Sequence, residues 1–377
     1  MSFLLTEEQL ELQGMVKEFG EKEIAPISLE YDHKGEIPLD VYKKAFEMGL
    51  HAIDIPVEFG GSGLDTVTGS IIHEELAKYD AGFGTAVGAV GLAFKPLLVA
   101  GTKDQIKKVA DIVVPGSFAA FCLTEPQAGS DAASVKTTAV KVGDEYVING
   151  RKCFITNGGV ADVYTVIAQT DKSKGIKGLS AFIVERNRQG VSVGKEEDKM
   201  GIRLSNTTDV LFEDVRIPAD NLLGKEGDGF KIAMKTLDLS RPIVGAGAVG
   251  ICQSAIDHCV KYAKERLTFG KPIAALQGIQ FMLADMEIQT QTARQYIRNT
   301  AALIDAGKPH SKEAAIAKCY AGDVAMKVTT DAVQILAGYG YMREYPVEKL
   351  MRDAKIFQIF EGTNQIQRLV IAGAMLR

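Results

Sequence analysis

The chain has 377 residues, of which 46% are hydrophobic and 24% charged, and its formal net charge at pH 7 is −5. That length exceeds what one compact core usually fills, so two or three globular domains are expected. The slight acidic excess gives no electrostatic surface for nucleic acid, and no unbroken run of about 18 apolar residues predicts a membrane span. Five scattered cysteines and an N-terminus without a basic leader predict a cytoplasmic protein with reduced thiols.

Residues 1–116 are predicted to form an α-helical domain. Thr6 and Gln9 have the spacing of a capping box, and a helical apolar stripe follows until Pro26, which is expected to end that helix. The same periodicity predicts three further helices, over residues 41–48, 66–79 and 82–100.

Three glycines share one face of the last of these helices, because Gly84, Gly88 and Gly91 lie at positions i, i+4 and i+7. A glycine inside a helix costs about 1 kcal/mol relative to alanine, so the stripe requires a spatial reason. Close contact with another helix is the favoured interpretation. A cavity wall kept free of side chains is the alternative.

No metal site is predicted. The segment from His73 to Ala77 begins like the zinc-binding motif H-E-x-x-H, but alanine stands where the second histidine would be. The chain has only five histidines, and they are scattered, so the segment is expected to be ordinary helix.

Between residues 117 and 226 the helical period disappears. Short runs rich in β-branched and aromatic residues are separated by turn signals such as Asn149-Gly150, with no helical run between them. This pattern predicts an antiparallel barrel or sandwich and excludes a βαβ sheet. The predicted strands cover residues 118–123, 145–148, 152–155, 163–168, 181–184 and 209–212.

Residues 227–377 are again helical, and long helices with short connections predict an antiparallel four-helix bundle with a shorter C-terminal addition. The segment from Gly245 to Gly250 matches G-x-G-x-x-G, but a dinucleotide fingerprint needs a preceding strand and a βαβ unit. We therefore interpret its small residues as a surface that another helix or a ligand approaches. The predicted helices cover residues 230–267, 277–306, 311–336, 346–357 and 363–376.

Glu361 stands just before the last helix, after the apolar pair Ile359-Phe360 and before Thr363 or Asn364, either of which can cap that helix. Its carboxylate therefore has an apolar wall on one side and unpaired backbone N–H groups on the other, which suits a general base. A lone Glu at a helix entrance is more often a solvated acid that the helix dipole favours.

Five motifs in order along the chain resemble those of the acyl-CoA dehydrogenase family, over essentially the whole length. The family's α-helical domain, β-barrel and four-helix bundle agree with the predicted order, so the expected fold is a multidomain α+β protein with domains 1–116, 117–226 and 227–377. The motifs lie at residues 121–131, 154–159, 265–272, 334–338 and 361–363.

The resemblance implies an FAD-dependent enzyme that converts an acyl-CoA thioester into a trans-2-enoyl-CoA, or catalyses the reverse reduction. Glu361 would remove the α-proton, and its backbone N–H, with a flavin ribityl hydroxyl, would bind the thioester oxygen. Desolvation by bound substrate would raise the pKa of Glu361. An electron-transfer flavoprotein as redox partner and a homotetrameric assembly are also implied.

The family's site residues are carried over by position. Those near the flavin and its ring are Phe121, Leu123, Thr124, Ser130, Phe154, Ile155 and Thr156. Those at the pyrophosphate and adenosine of a neighbouring subunit's FAD are Arg266, Thr268, Phe269, Gln277, Gln334 and Gly338, with Thr363 and Gln365 completing the set. Those near the substrate are Ser130, Asp238, Arg241 and Gly362, at the CoA and thioester. Gly84 and Gly88 are assigned to the acyl cavity separately, on the hypothesis that the glycine stripe widens it.

Several positions depart from the family pattern. Phe154 stands where the family often has tryptophan beside the isoalloxazine ring. Ser240 occupies the position where branched-chain members carry their base, which favours Glu361. Gly84 lies near the carboxylate-binding arginine of glutaryl-type members, so a dicarboxylic substrate is disfavoured. An acyl-CoA oxidase and a non-catalytic helical scaffold remain as alternatives, and acyl length and physiological direction stay open.

Overall fold

Helices occupy both ends of the chain and a sheet occupies its middle, as predicted. The computed structural model describes residues 4–376, so the outermost residues of the predicted ranges 1–116 and 227–377 lie outside it. The N-terminal helices are α1 (Glu7–Phe19), α2 (Ala25–Lys34), α3 (Leu39–Glu47), α4 (Thr66–Tyr79), α5 (Ala81–Ala100) and α6 (Lys103–Val113).

The prediction that Pro26 ends the first helical segment is wrong. The chain passes through one wider helical turn at Gly20–Ile24 and continues directly into α2. Pro26 lies in the first turn of α2, directly after the wider turn, and its fixed φ suits the helix.

The middle region is one eight-stranded sheet in the order β6-β7-β3-β2-β4-β5-β8, with β1 paired to the edge of β4 opposite β5. The strands are β1 (Phe118–Cys122), β2 (Thr138–Val142), β3 (Glu145–Thr156), β4 (Ala161–Gln169), β5 (Leu179–Glu185), β6 (Val191–Val193), β7 (Thr207–Pro218) and β8 (Leu222–Leu223).

The sheet differs from the predicted antiparallel barrel. Within residues 4–376, the outer strands β6 and β8 each pair with one neighbour, so closure into a barrel is not confirmed. The β1–β4 pairing is parallel, as is the single β2–β4 pair. Strand β3 runs through the predicted turn at Asn149-Gly150 with an irregular register. A Cβ at Gly150 would lie 2.3 Å from Oγ1 of Thr137, so close approach explains this glycine.

The C-terminal part contains three long helices of 37, 29 and 26 residues and two short ones of 9 and 12 residues. The predicted helix over 346–357 is shorter than expected, because the chain tightens into a 3₁₀ turn at Lys355–Gln358. The elements are α7 (Gly229–Glu265), the two-residue strands β9 (Leu267–Thr268) and β10 (Lys271–Pro272), α8 (Gln277–Asp305), α9 (Ser311–Leu336), α10 (Pro346–Ala354) and α11 (Asn364–Met375).

Helices α4, α5 and α7 pack closely through small residues. A Cβ at Gly250 of α7 would lie 2.2 Å from the carbonyl oxygen of Glu74 in α4, and one at Gly84 of α5 would lie 3.2 Å from the backbone nitrogen of Ala77. The G-x-G-x-x-G segment is thus a helix-packing surface. Helices α5 and α7 are long and apolar enough for a membrane span, but 67% of the apolar window of each is buried inside the protein. Core helices have the same property, so this is weak support for insertion.

One buried lysine joins the three parts of the chain. The ammonium group of Lys349 in α10 lies 2.7 Å from a carboxylate oxygen of Asp80, just before α5, and 2.6 Å from one of Asp353. The other oxygen of Asp353 accepts a hydrogen bond from the backbone N–H of Ile202, after β6, at 2.6 Å. Because all three side chains are almost fully buried, this network fixes the helical ends on the sheet region.

Candidate active site

Glu361 lies in a short loop between the 3₁₀ turn after α10 and the start of α11. Thr363 caps α11, since its hydroxyl accepts a hydrogen bond from the backbone N–H of Ile366 at 3.2 Å, which confirms one of the two predicted caps. Glu361 has φ +52° and Gly362 has φ +88°. A left-handed conformation is uncommon for Glu and costs free energy, so the surrounding contacts must hold this loop in place.

The Glu361 carboxylate is half-buried and receives one hydrogen bond, from the hydroxyl of Ser240 in α7 at 2.6 Å. Burial raises the pKa of Glu361 above its ordinary value, while the Ser240 hydrogen bond and the charges of Arg241, Lys318 and Lys95 oppose that rise. The carboxylate is therefore a stronger base than a solvated glutamate, which argues against the solvated first-turn interpretation.

Within the described residues, the Glu361 loop has anchored backbone carbonyls and free backbone N–H groups. Within residues 4–376, the N–H of Glu361 donates to no other group. Its carbonyl accepts a hydrogen bond from the side-chain amide of Gln367 at 3.1 Å, and the Gly362 carbonyl accepts from both Gln367 and Lys318, at 2.9 and 2.8 Å. The anchored carbonyls fix the loop at and after Glu361, and its free N–H is a backbone donor of the kind that can bind an oxyanion.

Lys318 of α9 is a functional residue that the sequence reasoning missed. It is almost fully buried, and it also donates to the side-chain oxygen of Asn364 at 3.0 Å. Burial lowers the pKa of Lys318 to about 8, although the charge of Glu361 acts in the opposite direction. The sequence did carry a signal for it. Lys318 lies at helical spacing from Ala314, Ala321 and Ala325, so a lysine stands on the buried, apolar face of α9.

The structure brings three of the six predicted substrate residues, Asp238, Arg241 and Gly362, together around Glu361. Arg241 is buried beside it and pairs with Asp238 at 2.5 Å, and the Nε of Arg241 has no hydrogen-bond partner within the described residues. Gly362 directly follows the base. Ser130 is exposed on the loop after β1, and Gly84 contacts α4, in agreement with the favoured helix-contact interpretation.

The residues predicted at the flavin ring lie at the ends of β1 and β3. Phe154 has φ +56° and its side chain is 66% exposed, although it is a large aromatic residue on a strand. Thr124 accepts a hydrogen bond from the backbone of Cys153, which holds the two strand ends together at 2.9 Å. Phe121, Leu123 and Thr156 are partly buried beside them, whereas Ile155 points into the core.

A second group of predicted cofactor residues lines a cavity of about 440 Å³ formed by α7, β9 and the end of α9. Arg266, Thr268 and Gly338 all border it, and the Arg266 guanidinium lies 5.2 Å from the centre of the Tyr339 ring. Phe269 is 92% exposed at the tip of the β9–β10 hairpin. The remaining predicted residues of this set are exposed or half-buried outside the cavity, namely Gln277, Gln334, Thr363 and Gln365.

Across residues 4–376 no three His, Cys, Asp or Glu side chains are placed to hold a metal ion. The five cysteines are buried and unpaired. The carboxylate of Glu361, beside an N–H that is unpaired within the described residues, can perform proton transfer.

Family models for the N-terminal, middle and C-terminal domains of acyl-CoA dehydrogenase match residues 6–116, 120–215 and 227–376. The chain belongs to the acyl-CoA dehydrogenase family. It is 48% identical to the short-chain specific acyl-CoA dehydrogenase of Megasphaera elsdenii over the full length of both chains, and 45% identical to an acyl-CoA dehydrogenase of Bacillus subtilis over 99% of each. It is thus an oxidoreductase, and the enzymes of this family are flavoproteins.

Solved structures of family members superpose closely on the chain. The butyryl-CoA dehydrogenase of Megasphaera elsdenii gives a TM-score of 0.98 at 48% identity, with both chains fully covered. A chain from a study of the electron transferring flavoprotein of Acidaminococcus fermentans gives a TM-score of 0.98 at 49% identity, also with full coverage. A glutaryl-CoA dehydrogenase in complex with glutaryl-CoA gives a TM-score of 0.95 at 34% identity, with 100% and 97% coverage.

Proposed function

We propose that the chain binds FAD and interconverts an acyl-CoA with its trans-2-enoyl-CoA, with Glu361 as the general base. One observation carries the assignment: the same residue offers a carboxylate of raised pKa and an unpaired backbone N–H. An α-proton next to a thioester is a very weak acid, so its removal requires both a base and a donor for the developing enolate oxygen. Glu361 supplies the two groups from one backbone position.

Each residue at the site has a separate role in the reaction. The Glu361 carboxylate takes the α-proton, and its N–H donates to the thioester oxygen as negative charge grows there. Gln367 and Lys318 hold the carbonyls of Glu361 and Gly362 and so fix the loop that carries the base. Arg241 is buried beside Glu361 and favours the ionised carboxylate before the proton is taken. Bound substrate displaces water and strengthens these interactions.

The two predicted cofactor regions fit an FAD molecule. An exposed Phe154 ring beside Thr124 and Thr156 offers an apolar platform flanked by hydrogen-bonding side chains, which suits an isoalloxazine ring. Arg266 and Thr268 at the 440 Å³ cavity suit a pyrophosphate, and a Cβ at Gly338 would meet no atom within 4 Å. FAD bound there would supply the acceptor for the hydride of the β-carbon.

An electron-transfer flavoprotein is the proposed redox partner, and a homotetramer the proposed assembly. The relative from the Acidaminococcus study and the family resemblance support the partner. Exposed apolar side chains at the β9–β10 hairpin, Leu267 at 62% and Phe269 at 92%, offer a surface that contact with another copy of the chain would bury.

The base assignment is tested with Glu361→Gln. This variant keeps the backbone N–H but not the carboxylate, so anaerobic flavin reduction by acyl-CoA should slow by about 10²–10⁴-fold while FAD stays bound. Stopped-flow flavin bleaching measures the rate, and Glu58→Gln, an exposed acid, serves as the control. Near-normal bleaching by Glu361→Gln would remove Glu361 from the mechanism.

The two alternative functions give different results with the wild-type protein. A dehydrogenase is yellow, bleaches with acyl-CoA under anaerobic conditions and reoxidises slowly in air. An oxidase reoxidises quickly and releases hydrogen peroxide, and a non-catalytic scaffold takes up no FAD.

A further inference from the structure

A polar cluster is buried against the glycine face of α5. Lys95 lies four residues after Gly91, so it continues the stripe of Gly84, Gly88 and Gly91 along the same face. Its ammonium group pairs with the carboxylate of Asp54, from the loop after α3. The ring of His73 in α4 lies beside them: a Cβ at Gly88 would be 3.1 Å from Cε1 of His73.

The cluster has hydrogen-bonding capacity that the protein does not use. Lys95 is 8% exposed and His73 is 6% exposed, yet within the described residues neither ring nitrogen of His73 forms a hydrogen bond. Burial lowers the pKa of His73 to about 4, so the ring is neutral and offers one donor and one acceptor. Packing explains the Lys95–Asp54 ion pair, but within residues 4–376 the His73 imidazole has no hydrogen-bond partner, and its nitrogens are not fully enclosed by protein.

The cluster and the base border the same region between α4, α5 and α7. Ser240, which donates to Glu361, lies in α7 three residues before Ile243, and Ile243 lies 3.5 Å from the Cβ position of Gly69 in α4. His73 is one helical turn further along α4. The charge of Lys95 also acts on the Glu361 carboxylate. The cluster and the base are therefore close enough for their charges to interact.

We infer that the Asp54–Lys95–His73 cluster binds a neutral hydrogen-bonding group, such as a hydroxyl, keto, amide or phenol, at the distal end of the acyl chain. The inference rests on the proposed function and names its substrate class. The net charge of Asp54, Lys95 and neutral His73 is zero, and together they offer hydrogen-bond donors and acceptors. The cluster therefore matches a neutral polar group. A carboxylate tail would add an uncompensated buried charge, and a purely alkyl tail would leave desolvated groups unpaired.

The test uses FAD-loaded protein and matched thioesters of four to eight carbons that are unsubstituted, ω-hydroxylated or ω-carboxylated. Anaerobic flavin bleaching gives kcat/KM for each. At the best chain length, the ω-hydroxyacyl thioester should exceed its unsubstituted match by tenfold or more, because a site built for a polar group rejects the analogue that lacks it. The ω-carboxyl thioester should rank below the hydroxylated one.

Two variants remove the cluster without leaving a buried charge alone. His73→Leu removes a ring that has no hydrogen bond, and Asp54→Asn/Lys95→Met removes both charges at similar size. Each variant should lower the ratio of kcat/KM for the ω-hydroxyacyl thioester to kcat/KM for the unsubstituted one about tenfold, mainly because kcat/KM for the unsubstituted thioester rises. The control Lys103→Met, at an exposed position, should keep the wild-type ratio. A second measurement needs no turnover. Calorimetry gives the binding affinity of the ω-hydroxyacyl and unsubstituted thioesters for Glu361→Gln, with and without His73→Leu.

The outcomes separate the two proposals. Bleaching by alkyl thioesters with a ratio that neither cluster variant changes would overturn the tail assignment alone. A wild-type preference for the ω-carboxyl thioester would overturn it as well. If no acyl-CoA bleached the flavin, the proposed function and the inference would both be wrong.

Discussion

Two opposing effects set the pKa of Glu361. Burial favours its protonated form, whereas the Ser240 hydroxyl and the nearby cations favour the carboxylate. A base must be ionised when substrate arrives and basic enough to take the proton, so the balance between these effects sets the pH range of the reaction. Ser240 is the contact that can be removed with the least disturbance, because only one oxygen atom is lost.

Ser240→Ala should move the acid limb of flavin reduction to higher pH. The Ser240 hydroxyl donates to the carboxylate and lowers its pKa, so its loss raises that pKa and protonates the base at a pH where the wild-type enzyme is active. A hydrogen bond to a charged group is worth about 1.5–3 kcal/mol, so the rate below the limb should fall about tenfold or more. Stopped-flow bleaching across pH measures the limb.

The control for this variant is Ser254→Ala, a buried serine in the same helix that makes no contact with Glu361. It should leave the pH profile unchanged, and both enzymes should approach the same rate at alkaline pH. An acid limb of Ser240→Ala that stays in place or moves to lower pH would contradict the assigned hydrogen bond.

At the residue scale the sequence predicted the base and its helix cap but not their partners. The position of Glu361 before Thr363 is local information, and the cap at Thr363 is confirmed. Ser240 lies 121 residues away and Lys318 lies 44 residues from the carbonyl it binds. Contacts at such separation follow from how α7, α9 and α11 pack, which no local pattern encodes.

At the scale of elements, small residues in α4, α5 and α7 let the helices next to the site approach closely. Gly250→Ala should destabilise the protein by about 1–3 kcal/mol, because the added Cβ meets the α4 backbone and forces the helices apart. The clash is direct: the Cβ would lie 2.2 Å from the Glu74 carbonyl and 2.9 Å from the Lys78 nitrogen. The midpoint of urea unfolding measures the loss.

Gly14→Ala in α1 is the matched control, since nothing lies within 4 Å of its Cβ position. The same substitution should there stabilise the protein by up to about 1 kcal/mol through helix propensity alone. Equal effects at the two positions would refute close packing at Gly250.

Helix boundaries were predictable where a local signal marks them. The range predicted for α4 is the one observed, from the residue after its Asp65 cap to Tyr79, and α9 begins and ends as predicted. The predictions were wrong at three places, namely Pro26, Asn149-Gly150 and the end of α10. In each case the same residues suit two local structures, and packing against other elements decides between them.

At the scale of the whole molecule, Lys349 compensates two buried carboxylates that belong to different parts of the chain. Lys349→Met should destabilise the protein by about 3–5 kcal/mol, because Asp80 and Asp353 would remain buried without a cation. Thermal and urea unfolding measure the effect. Lys22→Met, which breaks an exposed pair with Glu18, should leave both transitions where they are.

The opposite result for Lys349→Met is also informative. Unchanged unfolding would mean that the two carboxylates are protonated or hydrated in the folded protein, and the network would then not join the three parts. Adding Asp353→Asn to Lys349→Met should recover part of the stability, because one of the uncompensated charges is removed.

The order helices, sheet, helices followed from periodicity alone, because the hydrophobic period changes at the borders of the sheet region. The strand order and the parallel β1–β4 pairing did not, because pairing between strands far apart in sequence depends on the whole fold.

The Lys349 network also bears on how the protein can be divided. Three family models match three successive segments, yet Asp80, Ile202 and Lys349 come one from each. The core of the first two segments extends to Ile232 and Ala233 at the start of α7. The segments are therefore units of sequence but not of folding. An expressed fragment that stops before α7 would lack part of its core and aggregate. The intact chain should unfold in one calorimetric transition.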